Sequence, residues 1–215
     1  PYLTTSQWES FIREGKITVN GETAQPGLIL KEHDHIITHM GKRQEPPANR
    51  QLSVIYEDSD IRVFNKAAPI PVHPSGRFFK NSMTEILKEV YPDEIPMPTQ
   101  RLDASTTGAL LFAKNKKSAA YFAEEFLNRR MYKEYLALVD GIPPESHFFT
   151  NSSIGKIRGN RWGSGSKTKS PKEAKTEFFK LNSHNGKTIL KAIPHTGRTN
   201  QIRIHLADIG FPISN

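Results

Sequence analysis

Three segments of the chain each place one polar side chain among apolar residues, a setting in which a reactive group is kept out of water. Asp103 lies in the segment RLDASTTGALLFAK, a few residues before an apolar run, and Tyr135 begins the apolar run YLALV. Arg203 lies in HTGRTNQIRIHL, at the border of a helix face that we expect to be buried. A poorly hydrated carboxylate stays ionised when a cation lies beside it, so we expect Asp103 to pair with Arg203. A purely structural ion pair is about as compatible with these residues.

Several other kinds of chemistry have no residues to support them. The chain has no cysteine, which excludes disulfides, thiolate metal sites and a cysteine nucleophile. It contains neither a glycine-rich phosphate-binding loop nor the G-x-S-x-G pattern of serine hydrolases. His33, His35 and His39 share one face of a short strand, whereas the nearest carboxylate, Asp34, points to the other face. We therefore expect neither a metal site nor a bound cofactor.

The charge of the chain is positive and unevenly distributed. Thirty Lys and Arg residues against 22 Asp and Glu residues give a net charge of +8. The segment from Lys156 to Lys191 holds ten basic and two acidic residues, which accounts for the whole excess. Such a segment predicts contact with a polyanion, for example nucleic acid. A solvated, flexible lysine-rich loop is the alternative, and composition alone does not separate the two.

The first forty residues have the pattern of a helix followed by short strands. Thr5 or Ser6 is a suitable N-cap, and Gly15 is expected to end the helix. Asn20-Gly21 stands between alternating apolar and polar residues, which predicts a two-residue hairpin turn. We thus expect a hairpin at 16–24, a strand at 35–40 and a linker at 41–51.

Apolar periodicity predicts a mixture of helices and strands beyond the linker. Ser82 and Glu85 have the spacing of a capping box for a short helix with Val90 on its buried face, and Thr199 is a suitable cap for the last helix. The Gly-, Ser- and Lys-rich stretch 151–173 is expected to be mobile. Strands are expected at 53–57, 61–66, 109–113, 135–139, 175–182 and 187–193, and a helix at 116–129. Without regular alternation of strand and helix, the fold class is α+β with a largely antiparallel central sheet flanked by helices.

The three segments, in this order, resemble the RluA family of RNA pseudouridine synthases. The shared patterns are R-L-D-x-x-T-[ST]-G-x-L-L-x-A-K, then K-x-Y-x-A-x-x-x-G, then T-G-R-T-x-Q-I-R-x-H, with further matches at 56–74 and 172–178. The likeness runs from about Val54 to Pro212. Two positions depart from it, because Gln100 and Asn200 stand where the family often has histidine. The family also continues beyond both ends of this chain, so we expect the sequence to be incomplete at each end.

The resemblance implies the fold and the isomerisation of specific uridines to pseudouridine in structured RNA, either rRNA or tRNA. It assigns Asp103 as the carboxylate that acts as a nucleophile at C1′ or as a base at C2′, with Arg203 keeping it ionised. Tyr135 would stack on the target base and help to remove the C5 proton. The uridine must be flipped out of the RNA, and Arg101 is placed to hold the vacated space. The reaction needs neither a cofactor nor a metal.

RNA contacts are expected from several parts of the chain besides Arg101. Residues 1–40 resemble the later part of an S4-like RNA-binding module, joined by the linker to a catalytic domain at 52–215. The remaining expected contacts are basic side chains of the long loop 67–81, of the segment just before it and of the C-terminal half: Lys66, His73, Arg77, Lys167, Lys169, Lys172 and Arg198. We expect a cytoplasmic monomer that does not bind membranes.

Two other functions are compatible with parts of the sequence. A non-catalytic S4-type RNA-binding protein would use the N-terminal module and the basic segment, but it would not need a half-buried carboxylate facing RNA. A glycosidase-like hydrolase would need a second carboxylate near Asp103, and none stands out.

Overall fold

The computed structural model describes residues 4–39, 41, 44–159, 161–165 and 168–214. The chain packs as two units, Pro1–Ala119 and Ala120–Asn215. The described residues form four helices: α1 Thr5–Arg13, α2 Met83–Val90, α3 Lys116–Leu127 and α4 Gln201–Asp208. Their strands are β1 Ile17–Val19, β2 Glu22–Thr23, β3 Ile36–Thr38, β4 Val54–Glu57, β5 Ile61–Lys66, β6 Met97–Pro98, β7 Gly108–Ala113, β8 Tyr135–Asp140, β9 His147–Thr150, β10 Ile154–Arg158, β11 Arg161–Ser164, β12 Lys169–Lys172, β13 Thr176–His184 and β14 Lys187–Pro194.

The first unit contains two antiparallel sheets. A small sheet has the order β2-β1-β3, and a four-stranded sheet has the order β4-β5-β7-β6. The apolar run of β7 lies inside the larger sheet, where Leu110 and Phe112 are buried. Phe112 meets the fully buried Phe64 of β5 edge to face, with ring centroids 5.5 Å apart. These contacts hold β7 and β5 in fixed register. β7 directly follows the segment that contains Asp103, and Lys66 at the end of β5 pairs with Gly108 at the start of β7.

The second unit also contains two antiparallel sheets. One has the order β8-β14-β13-β9 and the other has the order β11-β10-β12. Helix α4 contributes the fully buried Leu206 to the core of this unit. The other buried members come from β8, β13 and β14: Ala137, Val139, Phe178, Leu190 and Ala192. All paired strands of both units are antiparallel, which confirms the α+β class with antiparallel sheets.

The predicted hairpin at Asn20-Gly21 is confirmed, and a second Asn-Gly hairpin joins β13 to β14. Asn20 and Gly21 between β1 and β2 have φ angles of 52° and 88°, and Asn185 and Gly186 between β13 and β14 have φ angles of 49° and 72°. Two consecutive positive φ values are the mark of the type I′ turn, whose twist matches that of the flanking strands. The turn chemistry is local, which is why the sequence alone identifies it.

The predicted helix caps are wrong in detail. Thr4, not Thr5 or Ser6, caps α1, because its hydroxyl accepts from the Gln7 N–H and the Gln7 side chain accepts from the Thr4 N–H. The Ser82 hydroxyl donates to the carbonyl of Phe79, 2.8 Å away, so it forms no capping box.

At the other helix ends, two expectations also fail. Val90 at the end of α2 is 52% exposed rather than buried. The residue at the start of α4 is Asn200 in the left-handed region rather than Thr199.

Within the stretch 151–173, expected to be mobile, the described residues include the three strands of the sheet β11-β10-β12. One of its glycines is required by close packing of the backbone rather than by flexibility. A Cβ at Gly155 would lie 2.8 Å from the Lys169 carbonyl oxygen and 3.1 Å from Pro171 Cα. A glycine-rich composition here marks strands that approach each other closely.

The described residues of the predicted linker 41–51 form no helix or strand, but they are tied to the loop that precedes α2. The Glu45 carboxylate accepts hydrogen bonds of 2.8–2.9 Å from the N–H groups of Phe79, Lys80 and Asn81. Arg50 donates to Asn81 and forms an ion pair with Glu89 of α2. The division into domains at this linker stays a prediction. Across the part of the chain that the structure describes, no helix has the length and apolar character needed to cross a membrane.

Candidate active site

Asp103 begins a tight turn that leads into β7. The Thr106 N–H donates to the Asp103 carbonyl at 3.0 Å, and the Ala104 carbonyl accepts from the Ile70 N–H at 3.0 Å. Leu102 is buried beside the half-buried Asp103. The turn is thus tied at one side to the segment after β5 and at the other to the core strand β7.

Lys66 ends β5 beneath this turn, and its side chain is only 1% exposed. Its ammonium donates to the carbonyl oxygens of Ala67, Ala104 and Thr106 at 2.9, 3.2 and 2.7 Å. Burial lowers the pKa of Lys66 to about 8, while the charge of Asp103 acts in the opposite direction. Such a buried ammonium cannot reach RNA, and the RNA contact predicted for Lys66 does not fit its position.

Arg101, His73 and Arg77 lie on the surface of the first unit, as the predicted RNA contacts must. Burial and, after it, the charge of Arg101 lower the pKa of His73, so the imidazole is neutral at pH 7. Because the charge of Arg101 affects the pKa of His73, these two predicted RNA contacts lie near each other on the first unit. Arg77 lies in the turn closed by the bridge between Ser75 and Phe78.

Tyr135 is the first residue of β8 and pairs with Ala192 of β14. It is half-buried and packs against the core of the second unit. At the start of this strand, the ring is supported by the apolar core of the second unit. A ring held in this way suits stacking against a base as well as a purely structural role.

Arg203 lies on α4, whose first turn is fixed by a network of buried polar groups. The Thr196 hydroxyl donates to Gln201 Oε1 at 2.7 Å, and the Arg198 N–H donates to the same oxygen at 3.0 Å. Gln201 Nε2 in turn donates to the Lys175 carbonyl and to the Thr176 hydroxyl. Gln201 and Thr196 are both buried. The T-G-R-T-x-Q pattern therefore positions the helix that carries Arg203.

His205 completes this network one turn further along α4. Its Nε2 lies 3.0 Å from the Ser152 carbonyl oxygen, and its Nδ1 lies 2.9 Å from the Thr176 hydroxyl. A carbonyl only accepts, so Nε2 carries the proton and Nδ1 accepts from Thr176. Burial lowers the pKa of His205, which keeps the ring neutral. The spacing of Gln201 and His205, four residues apart on one helix face, was the available sign of this role in the sequence.

The predicted site residues fall in both units. Asp103 belongs to the first, Tyr135 and Arg203 belong to the second, and the pairing of Asp103 with Arg203 stays a prediction. Lys169 and Lys172 are exposed on β12, whereas Lys167 lies outside the described residues.

Arg198 is the remaining predicted RNA contact, and Asn200 and Gln100 are the two departures from the family pattern. Each has a hydrogen-bond partner or a backbone constraint in the structure. Arg198 is half-buried, and its Nε donates to the Glu173 carbonyl at 2.9 Å. Asn200 has a φ of 55°, a conformation that asparagine adopts more readily than most residues. The Gln100 side chain donates to the Ala109 carbonyl at 3.4 Å. In the described part of the chain, no group of three or more His, Asp or Glu side chains could hold a metal ion.

The chain is similar to known proteins over most of its length. It is 37% identical over 210 residues to the mitochondrial tRNA pseudouridine(32) synthase of Saccharomyces cerevisiae, covering 95% of this chain and 45% of that protein. It is 34% identical over 223 residues to the tRNA pseudouridine(31) synthase of the same yeast, covering 87% of this chain and 54% of that protein. The chain thus spans about half the length of these curated relatives.

A solved structure and a family model agree with these relatives. The human RNA pseudouridylate synthase domain-containing protein 1 superposes with a TM-score of 0.67 at 27% identity, over 79% of this chain and 70% of that one. The family model described as RNA pseudouridylate synthase matches residues 60–208, which include Asp103, Tyr135 and Arg203. The chain belongs to the RNA pseudouridylate synthase family.

Proposed function

We propose that the protein isomerises uridine to pseudouridine in structured RNA, with Asp103 as the reacting carboxylate. The observation that carries the proposal is the fixed turn at Asp103, half-buried and tied by main-chain hydrogen bonds, within the span that matches the family model. The bond between N1 of uracil and C1′ breaks, and a bond between C5 and C1′ forms. The C5 proton leaves and N1 takes up a proton, so the reaction needs no oxidant or group donor.

Three further side chains have proposed roles in the reaction. Tyr135 stacks on the flipped base and helps to remove the C5 proton, which its support by the core of the second unit favours. Arg203 keeps Asp103 ionised and oriented. Arg101 occupies the gap that the flipped uridine leaves in the RNA, consistent with its exposed position.

The basic sheet β11-β10-β12 is the proposed contact for the RNA backbone. Its strands carry five basic residues and no acidic one: Lys156, Arg158, Arg161, Lys169 and Lys172. Ordered strands hold these cations at fixed spacing, which favours phosphate contacts over a merely solvated loop. We also propose that α1 and the sheet β2-β1-β3 contribute to RNA binding, as an S4-like module would.

We propose tRNA as the substrate class, because two yeast relatives are named for tRNA positions 31 and 32. The monomeric state stays a prediction, which sedimentation of the purified protein tests. The cytoplasmic location also stays a prediction. One relative is named mitochondrial, so fractionation of cells must separate the two compartments.

The variant Asp103→Asn tests the proposed chemistry. An amide is neither a nucleophile at C1′ nor a base at C2′, so we expect release of tritium from C5-labelled uridine in tRNA to fall to the background. The shape of the side chain hardly changes, and we expect the melting temperature and the affinity for tRNA to stay close to those of the unchanged protein.

The matched control is Asp93→Asn, which removes one exposed carboxylate from the same unit and should leave tritium release unchanged. Substantial tritium release by folded Asp103→Asn would contradict the proposal. Formation of free uracil by the unchanged protein would instead indicate a hydrolase.

A further inference from the structure

The environment of Lys66 differs from that of a lysine that binds RNA. At 1% exposure its side chain is enclosed, and its ammonium has three carbonyl acceptors within 3.2 Å. An ammonium has three N–H donors, so this set can use all of them. No donor is left for a phosphate, and no surface is left through which a phosphate could approach.

The three acceptors connect two segments of the first unit. The Ala67 carbonyl directly follows β5, whereas the Ala104 and Thr106 carbonyls belong to the turn that begins at Asp103. Both carbonyls lie in the turn, and both accept a hydrogen bond from the Lys66 ammonium. The ammonium therefore anchors the turn to the end of a core strand. Loss of the ammonium would leave buried carbonyl groups without their donor and free the turn to move.

We infer that Lys66 is a positioning residue for the isomerisation: its ammonium fixes the turn that carries Asp103 and does not bind RNA. This inference rests on the proposed role of Asp103. A displacement of about 1 Å at a reacting group can cost a factor of about 100 in rate, so a turn held by three hydrogen bonds matters for turnover.

If the Lys66 ammonium holds the turn, the rate of isomerisation should depend on pH as Lys66 titrates. A side chain that does not titrate would give no such dependence. Burial lowers its pKa to about 8, and Asp103, the charged group whose effect on Lys66 is resolved, opposes that shift. The ammonium is therefore charged at neutral pH and loses its proton in mildly alkaline solution. The rate of isomerisation should decline over the same range of pH, because the neutral amine has one donor fewer.

The first test compares the kinetics of Lys66→Met with those of Lys80→Met, which changes an exposed lysine of the same unit. We expect Lys66→Met to lower kcat for tRNA about 10- to 100-fold while KM and the salt dependence of binding stay unchanged. Lys80→Met should keep the kcat of the unchanged protein. A raised KM with unchanged kcat for Lys66→Met would overturn the inference in favour of an RNA contact.

The second test changes the acidity of the ammonium at position 66 and keeps its positive charge at neutral pH. The chain has no cysteine, so Lys66→Cys can be alkylated with 2-bromoethylamine in urea and refolded, which restores an ammonium in a nearly identical shape. Sulfur makes this ammonium more acidic than that of lysine. We expect kcat near that of the unchanged protein at pH 7 and an alkaline decline that begins at lower pH. An unmoved decline would contradict the inference.

Lys80→Cys treated in the same way is the control, and its pH profile should match that of the unchanged protein. The aminoethylated protein also serves if Lys66→Met does not fold. If the unchanged protein releases no tritium, the proposed function itself fails. If it releases tritium and both Lys66 variants share its kcat and pH profile, the positioning role alone fails.

Discussion

Two buried basic side chains, Lys66 and His205, support the segments that carry the family motifs. Burial lowers the pKa of both, with different results. Lys66 stays charged at neutral pH, because its pKa of about 8 lies above 7. His205 is neutral and uses its two nitrogens as one donor and one acceptor. In each unit, a buried side chain that does not react supports a segment that carries a residue with a proposed role in the reaction.

The lowered pKa of His205 predicts a pH-dependent stability. In the unfolded chain a histidine takes up a proton below about pH 6.5, whereas the folded protein resists protonation. The contribution of His205 to the free energy of unfolding should therefore be constant above that pH. Below it, this contribution should fall by up to about 1.4 kcal/mol per pH unit until the folded-state pKa is reached.

Urea unfolding between pH 7.5 and 5 measures this dependence. His205→Gln keeps a donor and an acceptor but does not titrate, so its stability should fall less steeply over the same range. His184→Gln changes an exposed histidine at the end of β13 and should retain the slope of the unchanged protein. Equal slopes for all three proteins would show that His205 is not the responsible group.

The candidate residues could be found from the sequence, but the role of Lys66 could not. Asp103, Tyr135 and Arg203 stand out because each is polar among apolar neighbours. Lys66 ends an apolar strand next to a proline-containing loop, a position that fits an exposed residue equally well. Its burial depends on a turn some forty residues away, and local pattern carries no information about that contact.

At the scale of elements, residues 44–51 form a strap that is bonded to the loop before α2 rather than a free connection. Glu45 receives three main-chain N–H groups just before α2, and these hydrogen bonds, led by that of Asn81, lower its pKa. The loop 67–81, which carries His73 and Arg77, is thereby fixed at its C-terminal end. The order of this loop depends on a carboxylate outside the span that matches the family model.

Removal of this carboxylate should release the loop. In Glu45→Ala we expect faster amide exchange at Phe79, Lys80 and Asn81 and a lower affinity for tRNA, because the predicted RNA-binding side chains are no longer held in order. Hydrogen exchange followed by mass spectrometry measures the first effect. In the unchanged protein the same amides should be protected above the pKa of an unfolded-chain glutamate, and lose protection as the pH falls through the lowered value.

Glu32→Ala, which removes an exposed carboxylate elsewhere in the first unit, should leave the exchange of those amides unchanged. If Glu45→Ala also leaves it unchanged, the strap does not order the loop.

The elements themselves follow the sequence where their causes are local. The Asn-Gly hairpins and the apolar strand β7 are predictable because turn chemistry and periodicity act over a few residues. The sheet β11-β10-β12 is not, because its glycine-rich composition is equally typical of a mobile loop. The reason for Gly155 is its contact with the backbone around the Lys169 carbonyl, 14 residues away, which composition does not reveal.

At the scale of the whole molecule, the net charge of +8 should govern association with RNA. Binding to phosphates releases counterions, so the affinity should fall steeply with salt. We expect the combined change of Lys156, Arg158, Lys169 and Lys172 to glutamine to make the log–log salt slope shallower, by about 0.7–0.9 for each phosphate that is no longer neutralised. Fluorescence anisotropy with labelled tRNA measures this slope.

A second variant with the same change in charge shows whether the position of the basic residues or only the total charge sets the salt slope. Glutamine at Lys80, Lys88, Lys116 and Lys117, all exposed in the first unit, should leave most of the slope intact. Equal slopes for the two variants would show that the basic sheet is not the preferred contact.

The polar network at α4 begins at the Lys175 carbonyl and ends at the Ser152 carbonyl. Because neither end can donate, every proton between them has one possible placement, and the chain from Gln201 through Thr176 to His205 has a fixed direction. A replacement of nearly equal shape, such as Gln201→Glu, supplies an acceptor where a donor is needed and reverses that direction at its first step. Similarity of size therefore predicts poorly which substitutions are tolerated at the start of α4 as sequences diverge. Preservation of the direction of these hydrogen bonds is the better criterion.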